Sequence, residues 1–268
     1  MNAEDTSTHS ENNPPSTWKW VMISGIVIVV LCAAAAFIYF AYQTYNLWVG
    51  EKNQAKPRAV VTATAAMVEQ TNGLKEASRW PALILDPFSE NVNEWIDEAI
   101  DDDYTSMSLT INGRYIWDAT AKQGFVWRIW PESDGVSDFY LAVDAQNLSD
   151  NLDAQYGLIF RNDGDSYGYL EVRDTQHFRV FADIDNEWIE LIPYTYTDAI
   201  QPGAKNHLEV AAIDDMVYIA INGQFVGQTE NRYPAEGQVG LIIGLAGEGE
   251  EAVIAFDNFE LRTPGASK

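Results

Sequence analysis

Two neighbouring runs of the sequence carry aromatic, guanidinium and carboxylate groups at a spacing of two: Tyr156-Gly-Leu-Ile-Phe-Arg161 and Tyr167-Gly-Tyr-Leu-Glu-Val-Arg173. In an extended chain successive side chains point to opposite faces. Tyr156, Leu158 and Phe160 therefore share one face of the first run, and Ile159 and Arg161 share the other. In the second run Tyr167, Tyr169, Glu171 and Arg173 fall together. A face of this kind offers rings for stacking, with Arg and Glu to fix polar groups by hydrogen bonds. With Trp188 from the later run Glu187–Ile192, the candidate ligand-binding residues are Arg161, Tyr169, Glu171, Arg173 and Trp188. The competing reading is packing, because strand aromatics ordinarily face a core and cross-strand Arg–Glu pairs ordinarily decorate a surface.

Other chemistry-bearing residues are weaker. Asn162-Asp163-Gly164-Asp165-Ser166 places oxygen ligands in a tight turn, so Asp163 and Asp165 are candidate ligands for Ca2+, a hard cation. The spacing departs from an EF-hand loop, and Asp-Gly is also ordinary turn chemistry. The acidic runs Glu94-Trp-Ile-Asp97-Glu98 and Asp101-Asp102-Asp103 lie in turn-like sequence and read as solvated loops. His177 and His207 have no candidate nucleophile nearby, and no catalytic residue is assigned.

The elements that must position these groups are strands. Asn-Gly stands between alternating apolar runs twice, at Asn112-Gly113 and Asn222-Gly223, which predicts two hairpins with type I′ turns. Further alternating runs are Gly124–Trp130, Asp138–Asp144, His177–Asp183, His207–Ile213, Gln238–Leu245 and Ala252–Leu261. About a dozen short strands with almost no helix predict an all-β antiparallel sandwich.

Before the strands comes a different kind of segment. Val21–Tyr42 is a run of 22 residues without a charge. As a helix it spans about 33 Å, enough for a hydrocarbon core of about 30 Å. Trp18 and Trp20 flank one end and Tyr39, Tyr42, Tyr45 and Trp48 the other, an aromatic-belt arrangement. The apolar run continues past Ala33–Ala36, which argues against a cleaved signal peptide. The bulky Leu31 argues against lipidation at Cys32, the single cysteine. The expectation is one transmembrane helix, with the lipid bilayer as partner. The boundaries are a polar tail over 1–18, the membrane helix over 19–45, a connector over 46–82, the β-domain over 83–263 and a short tail over 264–268. Within the connector, Arg58–Gln70 reads as a short helix capped by Asn72-Gly73.

Charge narrows the function classes. Residues 1–79 carry six basic and six acidic groups, so the remaining ten basic and 34 acidic groups, and the whole net charge of −24, fall on residues 80–268. Binding a phosphate backbone rests on clustered Lys and Arg, so a nucleic-acid partner is excluded. One cysteine excludes a disulfide scaffold and a multi-thiolate zinc site. Such an acidic domain favours a neutral or cationic ligand.

The succession DPFSENVNEW (86–95), DFYLAVDAQ (138–146), YGLIFRNDGDSYGYLEV (156–172), EWIEL (187–191), NHLEVAAIDDMVYIAINGQFVG (206–227), GQVGL (237–241) and FDNFEL (256–261) resembles the concanavalin-A-like lectin/glucanase superfamily. It is most similar to the jelly-roll domains described as 3-keto-disaccharide hydrolase-like. The resemblance implies a jelly-roll sandwich with one concave sheet able to present aromatics, Arg and carboxylates to a sugar. It also implies an extracytoplasmic domain, whereas Lys52, Lys56 and Arg58 against Lys19 would by charge place it inside. The glucanases of the superfamily carry on one strand Glu, any residue, Asp, one or two more residues and then Glu, and no such motif stands here. The resemblance to lectin-like jelly rolls also implies a structural ion near the first and last strands, where Asp86 and Asp257 fall. The function expected is a membrane-anchored extracytoplasmic module binding a glycan or another surface ligand without catalysis. The alternatives are a glycoside-processing hydrolase and a structural or sensory ectodomain that engages a surface protein.

Overall fold

Alternation of apolar and polar residues dictates nearly every element of the computed structural model, which describes residues 72–129, 131, 134–185, 187–230 and 234–265. The strands are β1 (Ala82–Asp86), β2 (Ala99–Asp101), β3 (Thr105–Ile111), β4 (Tyr115–Ala121), β5 (Phe125–Ile129), β6 (Phe139–Asn147), β7 (Gln155–Asn162) and β8 (Tyr167–Arg173). They continue as β9 (His177–Ile184), β10 (Glu187–Tyr196), β11 (Asn206–Ile213), β12 (Met216–Ile221), β13 (Gln224–Glu230), β14 (Gln238–Leu245) and β15 (Glu251–Arg262). The two Asn-Gly hairpins form, but only one as expected. Asn222 and Gly223 both have positive φ, closing a two-residue turn between Ile221 and Gln224. At Asn112-Gly113 only Gly113 is left-handed, and the loop includes Arg114 because Ile111 pairs with Tyr115.

Two antiparallel sheets result. One has nine strands in the order β13-β12-β11-β6-β15-β4-β3-β2, with β1 also on β15; the other has six in the order β10-β9-β8-β7-β14-β5. The core lies between them, filled from the larger sheet by Trp117, Leu141, Val210 and Phe256 and from the smaller by Leu158, Phe160, Leu170, Phe178 and Leu241. Residues one position out of phase with these face outward, and on the six-stranded sheet they make the candidate site.

The expected membrane helix over Val21–Tyr42 and the residues up to 71 lie outside the described residues, among which no helix is long and apolar enough to cross a membrane. Residues 72–77 are helical, so Asn72 and Gly73 stand within a helical segment, and the expected helix over Arg58–Gln70 lies outside the described residues. Its Leu74 and Ala77 bury against Tyr140, Ala142, Ala211 and Ala220, where small side chains leave a trough on the outer face of the nine-stranded sheet. Arg262 Nη1 then donates to Trp80 O at 2.8 Å, holding the chain to the last strand. This end of the connector is part of the domain's surface.

On the same face Asp144 gathers three groups. Lys205 Nζ and Asn258 Nδ2 donate to Oδ2 at 2.8 and 2.9 Å, and His207 Nδ1 lies 2.8 Å from Oδ1. Burial pushes this carboxyl up, but the hydrogen bonds from Lys205, Asn258 and His207 outweigh burial and hold it below the usual range. A depressed folded-state value stabilises above the ordinary carboxylate value of about 3.9, and that stabilisation is lost as pH falls through the folded value. Asp144→Asn is expected to flatten the acid limb of the stability curve, read as urea midpoints across the acid range. An unchanged acid limb would show that the cluster contributes nothing there.

Candidate functional site

The outer face of the six-stranded sheet is set by register. Across β8 and β9, Tyr167 stands opposite Asp183, Tyr169 opposite Phe181, Glu171 opposite Arg179 and Arg173 opposite His177. Across β9 and β10, Asp183 pairs with Trp188, Phe181 with Glu190 and His177 with Tyr196. On the inner side of β8, β7 brings Ile159 beside Tyr169 and Gly157 beside Glu171. The strand pattern of two therefore assembles one surface from three consecutive segments.

At its centre is Glu171, whose side chain is 2% exposed. Its Oε1 accepts from Arg173 Nε at 2.8 Å and from the Tyr194 hydroxyl. Its Oε2 accepts from Arg179 Nε at 2.6 Å, with Arg179 Nη2 at 2.5 Å. With its amide turned to satisfy both groups, Gln155 donates to Glu171 Oε2 at 3.1 Å and accepts from Arg173 Nη2 at 2.9 Å. Both carboxylate oxygens are thus filled.

Rings and guanidiniums continue from this centre as a ladder. Arg179 lies over Phe181 at 4.0 Å and over Tyr194 at 4.5 Å, and Arg173 lies over Tyr194 at 4.7 Å. Trp188 meets Phe181 and Tyr169 edge-on, with centroids 6.0 Å apart in each case, while Tyr169 and Phe181 stack at 5.7 Å. At the other end His177 meets Tyr194 and Tyr196 edge-on. Trp188, Tyr194 and Tyr196 are exposed, Trp188 at 52%. Burial and the hydrogen bond to Glu171 raise the Tyr194 hydroxyl, and burial and the neighbouring Glu171 raise that of Tyr169. Both remain neutral at physiological pH. Tyr194 is a donor that does not titrate away.

Of the five expected ligand residues, the structure brings together Tyr169, Glu171, Arg173 and Trp188. Arg161 is elsewhere. It has φ of 52° and sits where the pairing of β7 with β14 shifts register between Gln238 and Gly240. This bulge breaks the alternation, and the guanidinium lies 6.0 Å from the Phe139 ring centroid and donates from Nη2 to Ser137 O at 2.7 Å. At 1% exposure it is a packing residue between strand ends. Tyr169 is also buried, in a second apolar cluster with Ile159, Tyr167 and Ile242, so it supports the surface from beneath. Arg179, Phe181, His177, Tyr194 and Tyr196 complete the face. Alternation within His177–Asp183 already puts the first three on one side, but only the strand order shows which side.

Asp163 and Asp165 lie together in the loop after β7. Asp163 Oδ1 accepts from the backbone N–H groups of Asp165 and Ser166 at 3.1 and 2.8 Å, an Asx turn. Beside it is a cleft of about 510 Å³ lined by Gly135, Asn162, Glu236 and Gly237 among others. Among the described residues no group of three or more His, Cys, Asp or Glu side chains could hold a metal ion. Asp86 is likewise engaged by protein donors, from Phe88 N, Asn93 Nδ2 and Trp95 Nε1.

No family model matches the sequence, and no curated protein is similar to it by sequence. Solved structures are. A protein of unknown function with a galectin-like fold from Bacillus subtilis aligns at a TM-score of 0.50 and 11% identity, over 69% of this chain and 97% of that one. The domain has a galectin-like fold. The carbohydrate-binding module CBM66 from Bacillus subtilis aligns at 0.49 and 19% identity, over 65% of this chain and 98% of that one. The catalytic domain of an endo-1,3-β-glucanase (laminarinase) from Thermotoga petrophila RKU-1 aligns at 0.49 and 12% identity, over 69% and 98%. At these identities the galectin-like likeness speaks to fold alone, and activity has to be argued from the face itself.

Proposed function

We propose that this chain is a non-catalytic glycan-binding module held at a membrane by Val21–Tyr42, with its β-domain outside. The observation that carries the binding role is the exposed ladder of rings and guanidiniums along β9 and β10, from Trp188 through Arg179 and Tyr194 to Tyr196. Sugar C–H faces stack on aromatic rings, and fixed guanidiniums hold their oxygens. Glu171 stands in this ladder as a tether for two arginines, with both oxygens occupied, which suits positioning more than bond cleavage.

Trp188→Ala is the direct test. Trp188 is half exposed at the edge of the sheet, so its removal leaves the core intact. Binding to the glycans selected on an array is expected to weaken about tenfold, equivalent to about 1.4 kcal/mol. The thermal midpoint should move by no more than a degree or two, as for an exposed site. Absence of binding to any glycan would remove the proposal. Protease treatment of intact cells tests the placement, since protection of residues beyond 80 would put the domain inside.

A further inference from the structure

The basic groups of the domain are mostly spent singly. Lys122, Lys205 and Arg262 each face a surface carboxylate, of Asp101, Asp144 and Glu260, and Arg161 is buried against Ser137 O. Arg173 and Arg179 differ, because two guanidiniums share the single carboxylate of Glu171. Both stay about one-fifth exposed, at 20% and 19%. The next carboxylate, Asp153, lies 3.9 Å from Arg173 Nη1 and is itself 74% exposed. An ion pair of that kind contributes little and exchanges readily.

The donor and acceptor count is lopsided. Glu171 has its lone-pair positions filled by Arg173, Arg179, Tyr194 and Gln155. Arg179 spends Nε and Nη2 on that carboxylate, and Arg173 spends Nε on it and Nη2 on Gln155. The Nη1 group of each has no hydrogen-bond acceptor among the described residues. The two Nη1 groups are therefore N–H donors open to a ligand, with the exposed carboxylate of Asp153 beside one of them. A sugar hydroxyl accepts from one such N–H group at a time and makes no use of the planar fork. A carboxylate only accepts, and it matches a planar guanidinium edge in two parallel bonds. Stacking of both guanidiniums on Tyr194 holds their planes in place before any ligand arrives.

We infer that Arg173 and Arg179 form a subsite for the carboxylate of an acidic saccharide, a uronate. The inference rests on the reading of the β9–β10 face as a glycan surface and names the class of glycan. It reverses, locally, the preference suggested by the charge of the whole domain. The acidic surface acts through solvent and is screened beyond about 8 Å at physiological ionic strength, whereas the guanidiniums act in contact.

The test is isothermal titration of the full chain with three probes: an oligogalacturonate, the same oligomer with its carboxyls reduced to alcohols, and poly-glutamate. The oligouronate is expected to bind at least tenfold tighter than its reduced form. Asp153→Asn removes a competing carboxylate and should tighten the oligouronate severalfold without changing the reduced oligomer. Arg173→Lys keeps the charge and loses the fork, and should weaken the oligouronate about tenfold with the thermal midpoint retained. Equal or tighter binding of the reduced oligomer overturns the carboxylate subsite and leaves the glycan face standing. Binding of poly-glutamate as tightly as the oligouronate overturns the saccharide assignment. If neither oligomer binds while an array yields neutral glycans, only the inference falls; if the array is also blank, both fall.

Discussion

Gly157→Ala is expected to abolish the folded domain, or to lower its thermal midpoint by roughly ten degrees. Gly157 lies in β7, between β14 and β8, opposite Glu171. A Cβ built there would stand 1.9 Å from Leu170 O and 3.0 Å from Leu170 C. Both are backbone atoms of the neighbouring strand, so no side-chain rotation relieves the clash. The strands must part, and the ladder bonds that place Glu171 beside Arg179 part with them. Effects above about 4 kcal/mol are exceptional for one substitution, and this one belongs in that class. In a domain of this size each kcal/mol moves the midpoint by about 2–4 °C. Gly73→Ala is the matched control. Its Cβ meets Ile213 Cδ1 at an ordinary 3.5 Å inside a helical segment, so it should stabilise slightly, by about 0.5–1 kcal/mol. A folded Gly157→Ala protein with an unchanged midpoint would contradict the close approach of β7 and β8.

How far the site could be read from residues alone depended on where the strands stay regular. Tyr169, Glu171 and Arg173 lie on β8, which pairs with β7 and β9 without a register shift, so alternation placed them correctly on one face. Arg161 lies at a bulge, and one left-handed residue moved it off the face of Ile159. Nothing in its local sequence announces the bulge. Arg179 and Tyr194 needed something alternation does not carry, the order β10-β9-β8 that makes them neighbours of Glu171. Tyr194 is harder still, since it lies within the register irregularities between Glu190 and Thr195, next to Pro193. The sandwich itself was legible because a period of two repeated over a dozen runs is redundant, whereas a site rests on single residues. The three-residue strand β2 and the helical residues 72–77 were missed for the opposite reason: each is too short to show a period.

Asp86→Ala should cost the domain about 3–5 kcal/mol, with no change in glycan contacts, because the residue organises the far end of the other sheet. Its Oδ1 accepts from Phe88 N at 2.8 Å, and its Oδ2 accepts from Asn93 Nδ2 and Trp95 Nε1 at 2.6 and 2.9 Å. Hydrogen bonds to an ionised group contribute about 1.5–3 kcal/mol each, and Asn93 can recover part of its share from water. Phe88 has φ of 51°, a left-handed conformation that a bulky side chain adopts only when its surroundings impose it. The bond from its N–H to Asp86 supplies that constraint. Trp95, buried among Phe88, Tyr115 and Phe259, would lose the acceptor of its indole N–H. Asp86→Asn should fall between alanine and wild type, since an amide can satisfy some of these donors but turns its own N–H₂ toward another. Urea unfolding at neutral pH measures all three proteins. A carboxylate that instead held a structural ion would make the wild-type midpoint rise with added calcium and fall with chelator. With three N–H donors already aimed at it, the midpoint should respond to neither, and a calcium-dependent shift abolished by Asp86→Asn would reverse this account of the carboxylate.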